Sequence, residues 1–247
     1  MDKQLPSIQN EPVIQEYMKM LLNNDMHKEY HDMKELLDYI SQMDSHIESM
    51  TNEIRELKDT IEKLKNPETK SQLSKICEKV ESTVFNCQKK LRYIKTSLVG
   101  SMKKSLEDFK QKGRGAIIKV VDVAHVKEGL SSLHQSLSFS KGAVLILSWK
   151  IDDITKELSS AKTAIKNAGR ILLGKSAVDK EDKNKLNFMQ KSMRKIINTI
   201  DKMDHKTEKC ISKINTLTKT SVKNDIKLLK EYSKSKDHST KEKEQSR

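Results

Sequence analysis

The sequence predicts an all-α protein, an elongated antiparallel helical bundle or coiled coil of about four long helices with short extra helices. Three observations lead there. The 247 residues include 7 Gly and 3 Pro, where average usage would supply roughly 17 and 12, so the chain lacks the turn residues that sheets and α/β folds consume. Charged residues make up 34% and hydrophobic ones 35%, with 4% aromatic, the balance of long amphipathic helices. Apolar residues also recur at three- and four-residue intervals through most of the chain, which places them on one helical face.

In residues 1–25, Asn10-Glu11-Pro12 starts a short helix and Asn23-Asn24-Asp25 breaks it. Residues 26–66 form an acidic heptad helix with the seam Met33, Leu36, Ile40, Met43, Ile47, Met50, Ile54, Leu57, Ile61 and Leu64. Ile dominates one seam position and Leu or Met the other, a pairing that favours two-stranded packing in parallel coiled coils and marks this seam as an oligomerisation or docking surface. Asn66-Pro67 ends that helix, and Pro67 is suited to the first position of the next.

Residues 67–112 form a basic helix whose stripe runs Leu73, Ile76, Val80, Val84, Cys87, Leu91, Ile94, Leu98, Met102, Leu106 and Phe109. Gly113 and Gly115 follow it. Residues 113–129 are rich in β-branched side chains, yet Ile117, Val120, Val121 and Ala124 fit a helical face and a lone strand has nothing to pair with; a short helix bounded by Gly129 is expected. The heptad returns in 130–174 as Leu130, Leu133, Leu137, Ser140, Val144, Leu147, Ile151, Ile154 and onward to Leu172, with Gly174 as its stop. Residues 175–230 repeat it from Leu186 to Leu217, where Thr207 is the polar seam residue, a selector of register or partner. The tail 231–247 has almost no apolar residues and is expected to be disordered.

The formal charge of +13 is unevenly spread. Residues 1–66 carry 8 basic and 14 acidic side chains, net −6, leaving +19 on residues 67–247. Either the basic part meets an external polyanion, or the acidic helix packs on it and cancels part of the charge internally. The longest clean apolar run, Ala143 to Leu147, falls far short of the ~20 residues of a membrane span. With no apolar leader at Met1–Pro6, a cytoplasmic protein is expected. Cys77, Cys87 and Cys210 have neither pairing nor zinc spacing and read as small core residues.

Gly169-Arg170-Ile171-Leu172-Leu173-Gly174-Lys175-Ser176 satisfies G-x-x-x-x-G-K-S, whose backbone amides cradle phosphates after a buried strand. Here an amphipathic helix precedes it. Gly169, Gly174, Lys175 and Ser176 are therefore assigned to a helix end and not to a nucleotide site. His27 and His31 have the spacing of a metal clamp but no third ligand, so no metal and no cofactor is expected. No catalytic signature appears, and the protein is expected not to be an enzyme. Lys89, Lys90, Arg92, Lys95, Lys103, Lys104, Lys110, Lys112, Arg114 and Lys119 form a basic stretch that could contact a phosphate backbone. Its poverty in Arg and aromatics favours a solvated face, with nucleic-acid binding as the alternative function.

Three stretches, Leu5 to Tyr17, Leu37 to Asp44 and Ile165 to Arg170, resemble a family of uncharacterised helical proteins associated with conjugative or other mobile elements of Gram-positive gut bacteria. The resemblance implies no activity or substrate. The expected function is a coiled-coil scaffold or assembly protein that binds a protein partner or a second copy of itself.

Overall fold

The structure is a computed structural model that describes residues 8–112, 123–169 and 180–244, with side chains over 8–111, 125–157 and 184–216. A 3-10 turn, Ile8–Asn10, precedes five helices: α1 (Pro12–Asn23), α2 (His27–Glu62), α3 (Pro67–Lys112), α4 (Val123–Gly169) and α5 (Lys180–Glu244). No strand occurs among the described residues. The all-α expectation holds.

Local chemistry sets the helix ends. Asn24 donates its side-chain amide to the Met20 carbonyl at 2.8 Å, Met26 N–H returns to Leu21 O at 3.0 Å, and Asp25 takes φ 58°, a left-handed turn that Asp tolerates. At the next turn Asn66 is a helix N-cap, its Oδ1 accepting from the N–H groups of Glu68 (3.0 Å) and Thr69 (3.1 Å), with Pro67 at the first helical position. The acidic helix thus ends at Glu62, earlier than Asn66, and Leu64 lies beyond it, half-buried.

Two further boundaries differ from expectation. Gly129 ends no helix: α4 runs through it, and a Cβ there would lie 2.8 Å from Ile94 Cγ1 and 3.3 Å from Tyr93 Cδ1, so its missing side chain admits α3. The segment 231–244 is helical because α5 contains no Gly or Pro and is rich in Lys and Glu, which are strong helix formers. On α3, Cys77 takes the core position expected of Ile76, which is half-buried. The residues 113–122 of the expected short helix lie outside the described residues.

The chain divides into two compact units. The unit of residues 42–91 and 132–207 is an up-and-down four-helix arrangement. Lys58 of α2 meets Glu81 of α3 at 2.8 Å, Cys87 of α3 meets Ser140 of α4 at 3.7 Å, Lys141 of α4 meets Asp201 of α5 at 2.6 Å, and Lys195 of α5 returns to Glu53 of α2 at 2.6 Å. Adjacent helices are antiparallel: α4 pairs with α5 through 134 and 204, 141 and 201, and 152 and 190, one number rising as the other falls. Its polar seam residues are satisfied locally. Ser140 donates to Ser136 O at 2.8 Å, and Thr207 to Met203 O at 2.9 Å with Met43 Sδ 3.3 Å away.

In the unit of residues 1–41, 92–131 and 208–247, α1 buries Ile14, Tyr17, Met20 and Leu21. Burial pushes the Tyr17 phenol far above its ordinary range, so it stays protonated, and its oxygen has no hydrogen-bond partner among the described residues. Lys213 of α5 bridges Asp32, at 2.9 Å, and Glu35, both on α2, and Lys110 of α3 meets Glu16 of α1 at 2.9 Å. These pairs, with those of Glu53 and Glu62, support the internal reading of the charge asymmetry: carboxylates of the acidic segment meet lysines of α3 and α5.

Candidate interaction surface on α4

The seam expected to dock a partner is the protein's own core. Met33, Leu36, Ile40, Met43, Ile47, Met50, Ile54, Leu57 and Ile61 are all between 0% and 3% exposed in the single chain. Neighbouring helices already cover them, so no face of this seam is free to dock. Cys77, Cys87 and Cys210 are buried thiols, as expected of core residues. Burial pushes the Cys77 thiol up to about 11 and raises that of Cys87, which keeps both unreactive.

The basic stretch does not present a single face. Lys95 is buried, Lys90 donates to Ser132 O at 2.9 Å, Lys110 is engaged by Glu16, and Lys89 sits 4.6 Å over the Phe85 ring. Lys103 and Lys104 point to solvent and Arg92 is half-buried. The side chains of Lys112, Arg114 and Lys119 lie outside the described residues, as do Gly174, Lys175 and Ser176 of the phosphate-loop pattern. Gly169, the first residue of that pattern, is the last residue of α4.

A different surface emerges on α4. Its inward stripe, Leu133, Leu137, Ser140, Val144, Leu147 and Ile151, is fully buried. On the opposite side Phe139, Ile146 and Trp149 are 73%, 51% and 62% exposed. With Gly142, where a Cβ would meet nothing within 4 Å, they repeat the three-four spacing of a helical seam on the solvent side. From Gly129 to Trp149 only Lys141 carries a formal charge, and Asp201 neutralises it. A helix that, like α4, carries large apolar side chains on its outward as well as its inward side is normally covered on both. Its outer face has the aromatic-rich, charge-poor make-up of an interface centre.

The sequence carried a signal for this strip. Phe139, Ile146 and Trp149 lie off the heptad seam but share its period, and the charge gap around them interrupts a chain that is 34% charged.

A cleft of about 220 Å³ in the unit of residues 1–41, 92–131 and 208–247, lined by Gln9, Ile14, Met18, Tyr30 and Leu37 among others, is smaller than the roughly 300–1,000 Å³ of ligand pockets. Gln9 closes on Asp38 at 2.6 Å beside it. No described helix is long and apolar enough to cross a membrane.

With this geometry in place, a family comparison matches residues 10–247 to a family of unknown function, DUF6674. The chain belongs to DUF6674. The match takes in the five described helices of this DUF6674 protein. The family's description carries no link to mobile elements or to Gram-positive bacteria. No curated protein matches the chain.

Proposed function

We propose that this DUF6674 protein is a non-enzymatic helical scaffold or assembly protein of the cytoplasm, working through protein–protein contacts on the outer face of α4. One observation carries the reading: an exposed strip of Phe139, Ile146 and Trp149 lies in a stretch whose one formal charge is the paired Lys141, in an otherwise Lys- and Glu-rich chain. Exposed apolar patches of this kind mark interaction sites in soluble proteins. The sequence adds support by carrying no catalytic signature. The only support for a role within a mobile element of a Gram-positive bacterium is the resemblance of its Leu5–Tyr17, Leu37–Asp44 and Ile165–Arg170 stretches.

The test compares full-length protein with Trp149→Glu as immobilised baits in extract of the native host. Proteins held by the parent and lost from the variant, at unchanged helicity, are the expected outcome. Equal capture by both would remove α4 from the function.

A further inference from the structure

We propose that the partner seated on the α4 strip is a second copy of this chain, packed antiparallel about a twofold axis beside Val144. The inference rests on the reading of α4 as an interaction surface, and it names the occupant.

Self-complementarity carries it. A twofold contact requires that if residue i meets residue j, then j meets i. Phe139 and Trp149 are equally far from position 144 along the helix, as are Gly142 and Ile146. Two copies laid antiparallel therefore set Phe139 against Trp149 of the second copy at each end. Near the axis, Ile146 of each copy projects into the open space over Gly142 of the other, where a Cβ would meet nothing within 4 Å. The strip thus carries both knobs and gaps, at mutually matching positions. Aromatic pairs at the ends add contact area and preferred ring geometry.

Charge selects the same face. Each copy carries +13, so two copies repel across most of their surface. The α4 strip eases that obstacle: the one charged side chain within it, Lys141, is paired with Asp201 at 2.6 Å, and Lys150 flanks it at one end. Flanking exposed positions are also compatible, since Ser138 of one copy falls opposite Lys150 of the other.

Area sets the strength. With aromatic side chains at 150–250 Å² each, the three exposed residues contribute on the order of 300–400 Å² per copy. That is about half of the ~800 Å² per partner in a standard interface. The dimer is accordingly weak, with a micromolar Kd. It tightens as salt rises, because screening relieves the repulsion between the two cationic chains.

Sedimentation of the full chain from about 1 µM to about 500 µM, at low and high salt, should show a monomer–dimer equilibrium that shifts to dimer with concentration and with salt. Trp149→Glu and Ile146→Lys should each weaken association at least tenfold without changing helicity or Tm. Geometry is read by mixing Ser138→Cys protein with Lys150→Cys protein under oxidation. The disulfide should form in the mixture and not in either variant alone, since like positions lie roughly 18 Å apart along an antiparallel pair; the native cysteines are buried and stay silent. A chain that is monomeric at every concentration overturns the inference, and cross-linking within one variant alone overturns the antiparallel arrangement. If the chain is monomeric yet Trp149→Glu still loses captured host proteins, the second copy is wrong and the docking role of α4 stands. If capture is also unchanged, both fail.

Discussion

The stripe from Met33 to Ile61 on α2 and the stripe from Phe139 to Trp149 on α4 share one spacing, yet the first is 0–3% exposed and the second, Gly142 aside, 51–73%. Periodicity reveals that a helix has an apolar side; it does not reveal whether the same chain covers that side. The flanks separate the cases. Around the α2 seam, Glu35, Asp38, Glu48, Glu53, Glu56 and Lys58 populate the remaining faces, and each long charged side chain needs water or a partner. Such a helix has one dry side, which its own bundle takes. From Gly129 to Trp149 that charged complement is missing, so α4 has apolar surface left over after its inner stripe is packed.

The largest expected effect breaks the buried side of this comparison. Ile47→Asp combined with Ile54→Asp places two carboxylates at positions 3% and 2% exposed. Burying unpaired charges and losing the packing should cost more than ~4 kcal/mol, enough to unfold a domain of ordinary stability. Circular dichroism should show lost helicity or a collapsed Tm. Trp149→Glu, on the exposed side, should change unfolding free energy by less than about 0.5 kcal/mol, as is usual for surface substitutions. Equal destabilisation by both would mean that the α4 strip is core.

A second contrast uses the glycines of α4. Gly129 faces Ile94 Cγ1 at 2.8 Å from the position of a would-be Cβ, whereas Gly142 faces open space. Gly129→Ala forces Ile94 or the backbone to move and should destabilise by about 1–3 kcal/mol, the usual cost of overpacking. Gly142→Ala gains helix propensity and should stabilise the monomer by about 0.5–1 kcal/mol. Urea midpoints of the two variants should move in opposite directions. Stabilisation by Gly129→Ala would show that α3 does not approach α4 closely there.

These two glycines also show how far the sequence could be read. The fold class, the α1–α2 break at Asn24, the start of α3 at Pro67 and nearly every core position followed from spacing and turn chemistry, which are local properties. In sequence Gly129 reads as a chain stop because a glycine's local meaning, permission to turn, is the same whether or not a neighbouring helix crowds it. The distinction depends on Ile94, 35 positions away in the chain. The same limit applies to the lysines. Lys95 and Lys103 look alike in sequence, but burial of the first depends on which side of α3 faces inward. The α2 seam looks like a docking surface in sequence for a similar reason, since a regular heptad is equally suited to a partner helix from another chain and to one from its own.

The smallest expected effects concern pH, and they compare two groups on α2. His46 is half-buried near Lys202 and Lys206; burial first, and the two ammonium groups second, lower its pKa below the ordinary 6.5. The folded state therefore resists a proton that the unfolded chain accepts, so the stability contribution is complete above 6.5 and is lost as pH falls below it. Glu35 is held below its ordinary 4.5 chiefly by the hydrogen bond from Lys213. Its contribution is complete above 4.5 and is lost as pH falls through the lowered value. Acid should thus weaken the protein in two windows, first through His46 and later through Glu35. His46→Gln should flatten the decline in urea midpoint between pH 7.5 and 5.5 while leaving the later loss intact. Lys213→Met should do the reverse, lowering stability at neutral pH and blunting the decline below 4.5. A midpoint that falls equally from pH 7.5 to 5.5 in the parent and in His46→Gln would remove His46 from the acid response, and would place the sensitivity on groups other than those of this half-buried site.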